Sequence, residues 1–407
     1  MNLSKLLLFA LPPTLLFSCD IIDNNADDFE VPPTYEFTRN GESTVSFSGQ
    51  TTRIKMGDEL FLAMSDFNNT TEELLLQMYR NQADDGTDVD PFSDPGLNAS
   101  DKSIKSKVAA SRDYFSTNVS LSAEIKNDFE TWLSGQVNDV FPNRNQLAEP
   151  GVAGQIADGS GERYINAQGL EYDQMVNKSL IGALMADQML NNYLSPAVLD
   201  EGTNREDNDA GVTVEGSNYT NMEHKWDEAY GYIYGTSEDP ANPNSTIGND
   251  DRFLNKYTGQ VSEGEDFASL AEAISEAFKL GRAAIVAGKY DVRDEQAAII
   301  QGAVSTIIAV RGVYYLQAGK RQIEAGETGS AFHSISEGFG FIYSLQFTRV
   351  PGTDQPYLAH SEVKQILNDL LGDGENGLWD VELSTLDALA EQIASQFDFT
   401  VEQAASI

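Results

Sequence analysis

Apolar positions recur at helical spacing along most of this chain, and the most apolar helix they predict covers residues 331–347. At helical pitch Phe332, Ile335, Phe339, Ile342 and Tyr343 share one face, and Phe341 and Leu345 occupy much of the opposite one. A helix apolar nearly all round belongs in a core. One polar ridge remains on it: His333, Glu337, Gly340 and Ser344. A charged carboxylate in such a place is costly unless it is paired or holds a metal ion. This helix therefore carries the functional question.

The remaining pattern supplies its surroundings. Residues 34–53 break into two alternating runs, Tyr35-Glu36-Phe37-Thr38 and Thr44-Val45-Ser46-Phe47, around Arg39-Asn40-Gly41. Asn-Gly between alternating runs predicts a β-hairpin, expected to be the only regular β structure. From Lys55 the spacing turns helical, and Thr70-Thr71-Glu72-Glu73 predicts a capped helix carrying Leu74, Leu75, Met78 and Tyr79. Further helices are expected at 104–115, 122–137, 168–193, 221–234, 263–286, 294–318, 360–371 and 386–397. The Gly-rich stretch 148–161 reads as a mobile loop, and 200–218 and 238–249 as acidic loops. No βαβ alternation occurs. The expected fold is all-α, a multi-helix bundle of helical hairpins with a small N-terminal β-hairpin, over residues 34–407.

The first residues carry a different signal. A short basic start ending in Lys5 precedes an apolar run, 6–17, too short to span a bilayer permanently. It ends in Leu16-Phe17-Ser18-Cys19, which resembles a bacterial lipobox. Residues 1–18 are thus expected to be a lipoprotein signal peptide, cut before Cys19, which would carry the lipid. An ordinary secretory signal is the alternative. Residues 19–33, acidic and Asn-rich, read as a flexible tether from that anchor. No later segment is expected to cross a membrane. Cys19 is the sole cysteine, so no disulfide framework or thiolate metal site is available downstream.

Charge narrows the partners. The net charge is −38, from 64 acidic and 26 basic residues. Nucleic acid and anionic lipid surfaces are polyanions and are poor partners for such a chain. Cation capture is compatible with it.

Only three histidines occur, and two head the same spacing: His224 with Glu228, and His333 with Glu337, each at i, i+4 on one helix face. Imidazole nitrogen with carboxylate oxygen suits zinc or iron, and two such helices packed face to face could build a two-His, two-Glu centre. The competing readings are a solvated face at His224 and a hydrogen-bonded core pair at His333. Two more charges interrupt apolar stripes, Asp187 after Val176, Leu180 and Leu184, and Arg311 after Ile300, Val304 and Ile307. An interior Asp and Arg can satisfy each other, so these two are expected to pair as supports. Glu171, Asp173, Glu223 and Asp227 are weaker carboxylate candidates. The acidic loops 84–88 and 373–377 lack the alternating ligands of an EF-hand and read as solvated turns. No zincin motif, nucleophile elbow, P-loop or strand-led Gly-x-Gly-x-x-Gly is present, so no catalytic residue is assigned.

The segments 35–41, 222–232 and 332–345 resemble those of a family of uncharacterised lipoproteins from Bacteroidetes, across nearly the whole mature chain. More distantly, the layout is similar to the imelysin-like proteins, acidic all-helical exported proteins associated with iron uptake. That family's Gly-x-His-x-x-Glu hallmark is absent: neither His224 nor His333 follows a glycine by two, and each has Glu at +4. The resemblance implies an all-helical fold and an iron-related setting. The expectation is a lipid-anchored outer-membrane protein, on the periplasmic or cell-surface face, that binds a metal ion or metal complex for iron uptake. An outer-membrane transporter is the partner expected to take the cargo, and no nucleic acid is expected to bind. The alternatives are a structural or interaction lipoprotein with a buried His/Glu/Asp/Arg network, and a hydrolase with an unmarked site.

Overall fold

A computed structural model describes residues 29–407; the expected signal peptide, Cys19 and most of the expected tether lie outside the described residues. The tether's last residues, 29–33, are held by the domain: Phe29 and Val31 pack against the core and Lys279 reaches the carbonyl of Pro33. The hairpin pairs β1 (Thr38–Arg39) with β2 (Glu42–Ser43), antiparallel, with Thr38 opposite Ser43. Asn40 and Gly41 both take positive φ, 56° and 83°, as a tight two-residue hairpin turn demands. Each strand has two residues rather than the expected four. The chain leaves the ladder to enter α1 (Ser48–Ala63), which starts well before Lys55.

Helix α2 (Glu72–Arg80) opens where its capping residues place it, with Thr71 accepting from the Leu74 amide. The helix expected at 104–115 is not formed. Only Arg112–Phe115 is helical, and Ala109, at φ 45°, turns its amide onto the Ala183 carbonyl. The amides of Ala110 and Ser111 go to the Asp187 carboxylate. Donors engaged outside the segment cannot build a helical ladder. After α3 (Val119–Gly135), the expected mobile loop is a second hairpin, β3 (Gly154–Asp158) against β4 (Gly161–Ile165). Glycines at its turn allow the reversal, which is why a Gly-rich run reads as a loop.

Helix α4 (Tyr172–Leu180) continues through wider π turns, Ile181–Ala186 and Met189–Tyr193. Then come α5 (Asn221–Tyr234), α6 (Leu254–Ser262), which the pattern did not predict, and α7 (Leu270–Val286). The chain ends with α8 (Tyr290–Glu324), α9 (Thr328–Ser344), α10 (His360–Leu370) and α11 (Leu383–Ala394) before a short last turn, Val401–Ala405. Helix α8 is the spine, packing on α7, α9 and α11, and α9 lies between α8 and α4. By length and composition α8 could cross a membrane, contrary to the sequence expectation, yet 78% of its most apolar window is inside the protein. Ile307, Ile308, Val310, Val313 and Leu316 are fully buried there. The architecture is an all-α bundle with two small antiparallel hairpins.

Candidate functional site

The polar ridge of α9 faces α4. A side chain at Gly340 would collide with the Cβ of Lys178, so glycine lets the two helices touch. Ser344 binds where α4 widens: its hydroxyl accepts from the Gly182 amide and lies 2.9 Å from the Lys178 carbonyl. The π turn leaves both groups without a regular i to i−4 partner, and one hydroxyl serves them. At the other end Ser336 accepts from the Glu171 amide. These contacts fix His333 and Glu337 opposite Glu171 and Lys178.

Nδ1 of His333 lies 3.1 Å from Oε2 of Glu171, and its Nε2 lies 3.8 Å from Oε2 of Glu337. The other oxygen of Glu337 is 3.1 Å from the Lys178 ammonium and accepts from the Tyr257 hydroxyl at 3.1 Å. Glu171 and Lys178 are almost wholly buried, whereas the His333 side chain remains 22% exposed and reaches solvent. Burial would lower the His333 pKa, but the hydrogen bond and charge of Glu171, with Glu337 behind, raise it above its ordinary value. Burial would raise Glu337, yet Lys178 and His333 hold it down at about 2. Burial pushes Lys178 down and, with Glu171 close by, lifts Asp173 to about 7.

Arg311 belongs to this cluster and not to Asp187, which corrects the expected pairing. Its guanidinium carbon lies 4.3 Å from the ring centres of Tyr314 and Tyr315 and 5.1 Å from that of Tyr257. Cation–π contact and the charge of Glu337 replace the bidentate carboxylate. Asp187 instead accepts both backbone amides of the 109–111 turn at 2.9 Å, and burial lifts it to about 7. Two residues interrupting apolar stripes need not share an interface; here each found a local partner.

His224 and Glu228 lie elsewhere, half-buried beside α1. The His224 ring stacks on Tyr219 at 4.4 Å, and its Nδ1 is buried without a hydrogen-bond partner. Burial lowers its pKa. Glu228 pairs with Lys225 at 2.9 Å and accepts from Gln50. This pair shares no partner with His333 and Glu337, and among the described residues no three His, Cys, Asp or Glu side chains form a group that could hold a metal ion. The weaker candidates Glu223 and Asp227 are taken by the fully buried Arg282, at 3.2 and 3.1 Å, and Asp227 also accepts from Tyr35. They lock the N-terminal hairpin onto α5 and α7.

Sequence reasoning missed Lys178, Tyr257 and Tyr315 as members of the His333 cluster. A lysine within Met175-Val176-Asn177-Lys178-Ser179-Leu180 was the available signal for the first; nothing local marked the tyrosines.

What these features define is an all-helical domain with a charged, partly accessible cluster at its centre. Residues 32–400 match the model of a family described as a domain of unknown function, DUF4856, and the chain belongs to that family. No curated protein and no solved structure matches it.

Proposed function

We propose that the protein is a lipid-anchored envelope protein that binds a metal complex through His333 and Glu337, in the service of iron uptake. The spacing of these two side chains carries the reading. At 3.8 Å, Nε2 of His333 and Oε2 of Glu337 are too far apart for a hydrogen bond. Two ligands at about 2.1 Å from one ion would stand at that separation with an angle of about 130°. Glu171 on Nδ1 is the outer carboxylate that orients a ligating imidazole. Two protein ligands leave coordination positions open, which favours a complex whose own donors fill them over a bare ion. The lipobox-like Leu16-Phe17-Ser18-Cys19 and the resemblance to Bacteroidetes lipoproteins and, distantly, to imelysin-like proteins support the outer-membrane setting, and the charge of −38 is compatible with cation capture. Delivery of the cargo to an outer-membrane transporter is part of the proposed role.

Titration of the purified, metal-stripped protein with Fe(II) and Zn(II), each with and without a chelator that leaves sites open, tests the reading. The expected result is one equivalent bound, lost in the double variant H333A/E337Q and kept in H224A. Absence of binding in the native protein contradicts it.

A second reading has its own observation. Lys178 and Tyr257 already compensate Glu337, and Glu171 compensates His333, so the cluster is satisfied as a structural network. On that reading H333A lowers thermal stability and no metal binds.

A further inference from the structure

Asn-Gly occurs twice in this chain, at Asn40-Gly41 and Asn376-Gly377. The dipeptide is chemically reactive, because glycine has no side chain to keep its backbone nitrogen away from the amide carbon of the preceding asparagine. The fold treats the two copies differently. Asn376 is held: its backbone and side-chain amides both donate to Oδ2 of Asp380, at 2.8 and 3.0 Å. Gly377 is buried against Gln168, whose carbonyl accepts the next amide, that of Leu378. Asn40 and Gly41 stand instead at the exposed tip of the β1–β2 hairpin. The Asn40 side chain has no hydrogen-bond partner among the described residues, and nothing lies within 4 Å of where a Gly41 Cβ would be. Only two residue pairs form the ladder behind this tip, and so short a ladder offers little resistance to the backbone rotation that attack on the Asn40 side chain needs.

We propose that Asn40 is a site of spontaneous deamidation and isoaspartate formation, and that the fold protects Asn376 from the same reaction. The Gly41 amide gives its proton to solvent base, and its nitrogen attacks Cγ of Asn40. The Cγ–Nδ2 bond breaks, Nδ2 leaves as ammonia, and a cyclic succinimide remains. Water opens that ring at either carbonyl, leaving aspartate or isoaspartate, and no oxidant or cofactor enters the balance. Isoaspartate routes the main chain through the side-chain carbons, lengthening a turn that both residues close with positive φ. Either product places a carboxylate beside Arg39, which donates to the two oxygens of Glu223 at 3.0 and 2.9 Å. Conversion therefore weakens the tie that Arg39 makes between the hairpin and α5. The proposal does not rest on the metal reading, since it involves neither His333 nor Glu337.

Peptide mapping by mass spectrometry tests it, on the full processed chain sampled during prolonged incubation at mildly alkaline pH, with a parallel sample unfolded in urea. In urea both asparagines should gain the mass of amide-to-acid conversion at similar rates. In the folded protein Asn40 should convert at least tenfold faster than Asn376, with isoaspartate and aspartate both present at position 40. An intact Asn40 over a period in which the unfolded chain converts overturns the proposal. Equal conversion of the two sites in the folded protein also overturns it, because the fold would then not distinguish them. Aspartate without isoaspartate at position 40 overturns the cyclic route.

Discussion

Glu171 holds Nδ1 of His333 at 3.1 Å, and that contact sets the charge of the only histidine in the central cluster. The carboxylate comes from the residue just before α4 and the imidazole from the first turns of α9, so the pair also clamps the two helices. Ring signals of three histidines are easily separated, and proton NMR titration should give His333 a pKa above 6.5 and His224 one below it. Replacing Glu171 by Gln should lower the His333 pKa, because its hydrogen bond and charge are lost. An unchanged His333 pKa in that variant would deny Glu171 its role.

The raised His333 pKa makes the cluster pH-sensitive in a known direction. Stability from this histidine is fully present below its unfolded pKa and is lost as pH rises through the folded value. Glu337 works oppositely: its contribution is present above the ordinary glutamate pKa and lost as pH falls toward about 2. Urea midpoints should therefore decline from pH 6 into the alkaline range, and H333A should remove part of that decline.

Asp187 offers a cleaner case, because among the described residues no cation forms an ion pair with it and burial dominates its shift. Its folded pKa of about 7 means that its proton stabilises the fold below the unfolded pKa, and that this is lost as pH rises through 7. Asp187→Asn keeps an acceptor for the Ala110 and Ser111 amides. The variant should gain on the order of 1–3 kcal/mol over the native protein at pH 8, and a smaller amount at pH 5, where only the first part of the interval between the unfolded and folded pKa has been crossed. Destabilisation at both pH values would show that the charged form is needed.

Two helical glycines should respond in opposite directions. Gly340→Ala sets a methyl against the Lys178 side chain and the Met175 carbonyl, and should cost about 1–3 kcal/mol. Gly312→Ala on α8 meets its nearest atoms only at 3.8 Å, and should be neutral or stabilise by up to about 1 kcal/mol. Thermal unfolding of the two variants checks the packing of α9 against α4 and α8.

Arg282 is the tie between the N-terminal hairpin and the bundle. Removing it leaves Glu223 and Asp227 buried, with only Arg39 near the first of them. Arg282→Ala should cost about 3–5 kcal/mol. Adding Asp227→Asn should recover part of that loss, and additive losses in the double variant would mean that the two side chains do not interact.

The long apolar periods of α8 and α9, and the capping residue Thr71, made the helices and the all-α fold legible from sequence. Periodicity failed where backbone groups are satisfied from outside the segment. The amides after Ala109 go to Asp187, so a helical pattern there yields a turn. A glycine-rich run at 154–165 forms a hairpin because its pairing is invisible to apolar spacing. In the site, the ridge of His333 and Glu337 was legible because those residues sit on an otherwise apolar helix. The partners were less so: Lys178 and Tyr257 come from other helices, and no local pattern records which distant faces meet. The Asp187–Arg311 pairing failed for the same reason.

The most direct test of the central claim is the histidine NMR spectrum of the metal-free protein during addition of one equivalent of Zn(II) at neutral pH. The account predicts that the His333 signals shift with an end point at one equivalent, while those of His224 and His360 stay in place. Unmoved His333 signals, or equal broadening of all three, would contradict metal binding at His333 and Glu337, leaving the cluster as a structural network.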